Sequence, residues 1–254
     1  MTDPVQESTD DQELRFIDHL VELRNRLLKA VLAILVALIA LLPFSRKLYA
    51  ILAEPMMAHL PDGSSMIAID VASPFLAPFK MTLMLAILVA IPVIIYQAWA
   101  FVAPGLYLRE KRLARPLLFS ATLLFYVGCA FAYFVVFPII FGFFTRVAPE
   151  GVAVMTDINR YLSFIITLFL GFGIAFEVPI ATIILVATGI TDTDSLARKR
   201  PYIIVGAFAI GMMITPPDVI SQTLLAIPMW ILFELGILMS RLLLKPDAPE
   251  ETAT

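Results

Sequence analysis

Charge is scarce in this chain. Asp, Glu, Lys and Arg make up 15% of its 254 residues, where a soluble domain carries about 25%. Cysteine is rarer still. Cys129 stands alone inside an apolar run, which excludes an intrachain disulfide and reads as a small packed hydrophobe. The two histidines, His19 and His59, lie in different segments. No clustered Cys/His spacing and no glycine-rich phosphate loop is present, so no metal and no cofactor is expected. A cleavable leader needs a basic start, a short apolar core and a small-residue cleavage site. The chain instead opens Met1-Thr-Asp-Pro and stays acidic through Glu13, so no such leader is expected. No convincing repeat relates residues 1–127 to 128–254.

What the chain has in abundance is apolar length. It is 60% hydrophobic, with a mean hydropathy of +0.91. A spanning helix needs roughly 20 apolar residues. Six such stretches stand at about 27–43, 75–101, 114–138, 161–188, 201–215 and 221–240. They show little alternation, so helices are expected rather than barrel strands. The fold class is therefore an all-α membrane protein of six spans. The fifth and sixth spans read as short, the sixth being interrupted by Pro228. Residues 13–243 form the membrane domain. The acidic start, 1–12, and the tail, 244–254, read as disordered.

Basic residues gather on one side. Arg15, Arg24, Arg26 and Lys29 precede the first span, and Arg109, Lys111, Arg112 and Arg115 follow the second. Arg198, Lys199 and Arg200 follow the fourth, and Arg241 and Lys245 follow the sixth. These are thirteen of the eighteen Lys and Arg residues. The bias predicts that both termini are cytoplasmic. The first outer loop, 44–74, repeats Leu48, Ile51, Leu52, Met56 and Leu60 near helical spacing, which predicts short helices on the outer surface.

Four constellations stand out. In the first, Phe16, Leu20, Leu23 and Leu27 share one helical face while Asp18, Glu22 and Arg26 share another. This predicts an amphipathic helix at the cytoplasmic surface. Glu22 and Arg26 can equally be an ordinary i,i+4 pair. In the second, Tyr96, Trp99 and Tyr107 bracket the inner end of the second span, as an aromatic belt does. Glu110 comes next in an otherwise basic loop. The third is Phe169-Leu-Gly171-Phe172-Gly173-Ile-Ala-Phe176-Glu177-Val-Pro179. A carboxylate near the bilayer midplane is costly, so Glu177 is a functional candidate. A hydrogen-bonded packing glutamate is the competing account. Pro179 frees the carbonyl of Ala175, and the glycines allow close approach. The fourth is Thr215-Pro216-Pro217-Asp218-Val-Ile-Ser221-Gln222, where Asp218 fits a helix N-cap.

On residues alone, three other function classes compete, one of them a purely structural membrane scaffold. A small proton-coupled secondary transporter would use Glu177, though such proteins usually carry internal repeats. An intramembrane hydrolase needs its catalytic groups within the spans, and both histidines lie outside them.

Taken together, the four segments resemble the TatC family, the polytopic core of the twin-arginine protein translocase. The matching stretches are His19-Leu20-x-Glu22-Leu23-Arg24-x-Arg26-Leu27, Tyr96-Gln97-x-Trp99-x-Phe101-x-x-Pro104-x-Leu106-Tyr107-x-x-Glu110, Phe176-Glu177-x-Pro179 and Thr215-Pro216-Pro217-Asp218-x-x-Ser221-Gln222. The resemblance covers about residues 14–242. One stretch departs from the pattern: Ser73-Pro74-Phe75 stands where relatives carry an acid.

The resemblance implies a receptor for signal peptides bearing paired arginines, which passes folded proteins across the bacterial cytoplasmic membrane. It implies that Glu22 and Glu110 take the two guanidiniums, with Leu23, Arg24, Phe101 and Tyr107 around them. Glu177, Gln222, Asp218 and Pro55 are implied for the intramembrane and translocation steps. Implied partners are single-span TatA and TatB on the fifth and sixth helices, further copies of the chain, and membrane lipids. Nucleic acid and ATP are not implied; the family uses the proton-motive force.

Overall fold

The computed structural model describes residues 4–57, 67–102, 114–147, 157–214 and 219–243. Every regular element among them is helical. The helices are α1 (Pro4–Leu41), α2 (Ser45–Met57), α3 (Ser73–Val102), α4 (Ala114–Phe131), α5 (Phe137–Val147), α6 (Ile158–Ala175), α7 (Val178–Ala187), α8 (Thr193–Arg198), α9 (Arg200–Ile214) and α10 (Val219–Leu243). Five stretches are long and apolar enough to cross a membrane: Ile17–Ile51, Ser73–Phe101, Arg115–Phe143, Ile158–Ala187 and Gln222–Leu243. A sixth, Arg200–Met213, is apolar but shorter.

Several expectations change in detail. The helix α1 begins at Pro4. The helix around Glu22 runs on without a break into the first span. The tail 244–254 lies outside the described residues. The sixth helix is not short. At 25 residues α10 is about 37 Å long, and it runs through Pro228. One missing hydrogen bond does not end a helix in apolar surroundings, where no water competes for the remaining backbone groups. The 15 residues of α9, about 22 Å, do fall below the thickness of a hydrocarbon core.

The third span also runs further than expected. A wider π turn, Ala132–Val136, joins α4 to α5 and ends two residues before Pro138, whose nitrogen has no hydrogen to donate. A short helix, α2, follows the first span.

The core lies between α3, α4, α5 and α6, with Leu225, Ala226, Met229 and Leu232 of α10 closing it. Aromatic side chains fill much of it. Phe131 packs against Phe172 and Phe176, each at 5.6 Å between ring centroids. The backbones of α4 and α6 meet at Gly128, where an added Cβ would stand 2.5 Å from the carbonyl oxygen of Phe172. Gly173 accommodates the ring of Phe125 in the same way. Cys129 is buried beside them, its thiol 3.6 Å from the carbonyl of Phe169.

Pro92 sits inside α3, so the carbonyl of Leu88 loses its helical donor. The hydroxyl of Tyr126 on α4 donates to that carbonyl at 2.8 Å. An orphan carbonyl in lipid costs several kcal/mol, roughly, so Tyr126 staples α4 to α3 at the proline.

The N-terminal ends of α3 and α6 are tied together. The amide of Ile158 donates to the carbonyl of Ile67 at 3.0 Å. Asp157 caps α6 through the amide of Arg160 at 3.2 Å and accepts from the amide of Ile69 at 3.4 Å. The side-chain amide of Asn159 donates to the hydroxyl of Ser73, which is fully buried. Ser73 serves as an acceptor in this clamp.

In contrast, α1 lies along α3 and leaves Leu27, Leu32, Val36 and Ile39 more than half exposed. The short α9 packs on α10, with Ala207 its buried contact.

Candidate functional site

The middle of α1, which carries His19 and Glu22, meets the end of α3 that carries Phe101. His19 stacks on Phe101, with ring centroids 4.2 Å apart and planes 19° from parallel. One turn further on, Arg26 clasps Glu22. Its Nε donates to Oε1 at 2.9 Å, and a terminal nitrogen reaches the same oxygen. The Nδ1 of His19 lies 3.9 Å from Oε2. The i,i+4 spacing alone produces this pair.

Beside it runs an apolar groove of about 270 Å³, lined by Leu23, Arg26, Leu27, Ile94, Gln97 and Phe101 among others. Thus a carboxylate already engaged with a guanidinium stands at the rim of a hydrophobic slot. The slot has a place for an apolar side chain, and the carboxylate for a planar cation.

The structure brings Glu22, Leu23 and Phe101 to one place. Arg24 does not line the groove; it is exposed, with a terminal nitrogen 3.3 Å from the side-chain oxygen of Asn25. Tyr107 and Glu110 lie outside the described residues, as do Asp218 and the side chain of Pro55. Gln222 stands in the first turn of α10, half-buried, across from Gly211 of α9.

Glu177 occupies the break between α6 and α7. Its amide donates to the carbonyl of Ile174 at 3.0 Å, and its own carbonyl accepts from Ala181 at 2.9 Å. Pro179 lies in the first turn of α7, so the sequence explains the break. The side chain is half-buried. Its Oε1 is buried with no hydrogen-bond partner among the described residues. The packing-glutamate account needs such a partner, and Oε1 has none among the described residues.

A polar end joins α8, α9 and α10. Arg200 forks onto Glu234, Nε to Oε1 at 2.5 Å and the second nitrogen to Oε2 at 2.8 Å. Arg241 donates to Asp194 at 2.9 Å. The amide and hydroxyl of Ser195 donate to Asp192 at 2.5 and 3.1 Å. These two bonds hold the Asp192 carboxyl below its usual pKa range. Local spacing cannot reveal the Arg200–Glu234 fork, because the two residues are 34 positions apart. No group of three or more metal-ligating acids, histidines or cysteines occurs among the described residues.

Comparison with known proteins agrees with this picture. The family model described as "Sec-independent protein translocase protein (TatC)" matches residues 18–228. A Sec-independent protein translocase protein TatC of Azotobacter chroococcum mcd 1 is 59% identical over 227 residues, 89% of each chain. The protein of the same description from Escherichia coli strain K12 is 56% identical over 225 residues, covering 89% of this chain and 87% of the relative. Among solved structures, the crystal structure of a twin arginine translocase receptor, TatC, superposes with a TM-score of 0.79 at 37% identity. It covers 89% of this chain and 100% of that one.

Proposed function

This chain belongs to the TatC family of Sec-independent protein translocase proteins, and on that premise we propose that it receives signal peptides carrying paired arginines and serves as the core through which folded proteins cross the membrane. It is a transport protein of several membrane-spanning helices rather than a classical enzyme.

One observation carries the receptor reading. The Glu22 carboxylate holds a guanidinium at the mouth of an apolar groove. A peptide arginine is the same chemical group as Arg26 and fits the same fork. Glu110 supplies the second carboxylate, and Phe101, Leu23 and Tyr107 the walls. The apolar part of the signal then runs inward along the helices towards Glu177, whose unpartnered oxygen awaits a donor.

The chain has six spans in this reading, α9 being the short fifth, within a membrane domain of 13–243. Both termini are cytoplasmic, and the membrane is the bacterial inner membrane. Single-span TatA and TatB pack on α9 and α10, near Gln222 and Asp218, and other copies of the chain assemble beside them. Pro55 belongs to the outer face of the pathway. The proton-motive force drives transport. The rival reading, a proton-coupled carrier built on Glu177, gives way to the family membership.

The test is photo-crosslinking from positions beside Glu22 and Glu110 to a precursor with paired arginines and to one with paired lysines. Strong adducts with the arginine precursor alone support the reading. Normal adducts from a protein with both acids reversed to arginine contradict it.

A further inference from the structure

The α7–α8 turn, α8 and the last turns of α10 enclose a cleft of about 880 Å³ that the signal-peptide reading does not use. Two candidate spans, Ile158–Ala187 and Gln222–Leu243, end beside it. A bilayer crossed by those helices sets the cleft at headgroup level, whichever leaflet that is.

Charges of both signs line this cleft. Lys199 has no acid within ion-pair distance among the described residues. Thr191 lines it as well, and its hydroxyl makes no hydrogen bond among them. Asp192 is engaged with its own cap at Ser195. Asp194 and Arg241 hold each other at 2.9 Å, with side chains 76% and 51% exposed. So exposed a pair exchanges partners at little cost. The cleft therefore offers a free ammonium, a loosely held guanidinium and an exchangeable carboxylate. Its two acids and two bases cancel in formal charge. Ile190, 73% exposed, supplies an apolar wall.

Each simpler headgroup leaves part of this unmatched. A purely anionic headgroup satisfies Lys199 but competes with Asp194 for Arg241. A choline headgroup has no N–H for the carboxylate. A headgroup with both a phosphate and a primary ammonium satisfies both signs. Its phosphate oxygens accept from Lys199 and Arg241, and its ammonium donates to Asp194. We propose that the cleft binds such a headgroup, that of a phosphatidylethanolamine-type phospholipid, with the acyl chains running along α10.

The inference stands apart from signal-peptide binding and is tested without it. The full chain is placed in phosphatidylcholine nanodiscs doped with phosphatidylethanolamine or phosphatidylglycerol, and retained lipid is counted by native mass spectrometry. The wild-type protein should retain phosphatidylethanolamine over both others by roughly tenfold, the worth of one charge-assisted hydrogen bond. Lys199→Gln should lower retention of both doped lipids. Asp194→Asn should lower phosphatidylethanolamine but raise phosphatidylglycerol, because it removes the ammonium's acceptor and releases Arg241. Soluble glycerophosphoethanolamine should displace little. Equal retention of all three lipids by the wild type, which needs no variant to fold, overturns the proposal. So does a shift of both doped lipids in the same direction with Asp194→Asn. Full displacement by the soluble headgroup overturns the assignment to a lipid.

Discussion

Glu22 and Glu177 are the same residue type in opposite conditions. Glu22 stands on a partly exposed face of α1 and already holds the guanidinium of Arg26. Glu177 sits in a break within an apolar span, and its Oε1 is buried without a donor among the described residues. An acid at the aqueous end can stay ionised and exchange one guanidinium for another. An acid among apolar side chains is costly until something arrives to share its proton or charge. In the function proposed above, this difference separates recognition from passage, with Glu22 selecting the arginine pair and Glu177 meeting the apolar segment of the signal behind it.

The strongest way to break this comparison is charge reversal. Glu22→Arg with Glu110→Arg should abolish export of an arginine-pair precursor, measured by its accumulation in the cytoplasm. Each lost charge-assisted contact is worth about 1.5–3 kcal/mol, or about tenfold or more in binding. Unimpaired export would erase the distinction. Packing around Glu177 gives the next effect. Gly128→Ala pushes a methyl into the carbonyl of Phe172, and such overpacking costs about 1–3 kcal/mol. Thermal melting in detergent should fall, while the Glu22 end, on other helices, keeps its peptide affinity.

The staple at α3 allows a double-mutant cycle. Tyr126→Phe removes the donor to Leu88 and should lower stability by about 1–2 kcal/mol. In a Pro92→Ala background the helix supplies its own amide, so the same change should cost much less. Equal losses in both backgrounds would show that the hydroxyl does not serve the carbonyl that Pro92 frees. The Arg200–Glu234 fork is half-exposed, and Arg200→Gln should lower the melting temperature only slightly, because solvent screens such a pair. Smallest is an acid effect at Asp192. Its folded-state pKa is lowered, so its contribution is present above its ordinary value of about 3.9 and fades as pH falls through the lower folded value. Asp192→Asn should flatten that limb of an acid melt.

Much of this was legible because lipid simplifies the code. Long apolar runs gave the spans, and the basic bias gave an orientation to test. The Glu22–Arg26 pair came from local spacing, and the break at Glu177 from Pro179. Pro228 misled, because proline shortens a helix reliably only where water can take the freed groups. The rest is long-range. Nothing near Asp157 announces Ile67, Ile69 or the Asn159–Ser73 contact. Nothing near Glu234 announces Arg200. Gly128 looks like any glycine until α6 is laid against it. The π turn before Pro138 is a local response to packing that the apolar pattern does not encode. Leu23 and Phe101 line one groove beside the Glu22–Arg26 pair, while Arg24 turns elsewhere.

The most direct measurement is the affinity of a paired-arginine signal peptide, relative to its paired-lysine twin, for three proteins: wild type, Glu22→Gln and Glu177→Gln. Loss of the arginine preference at Glu22→Gln, with the preference kept at Glu177→Gln, is the predicted result. A preference untouched by Glu22→Gln would contradict the account.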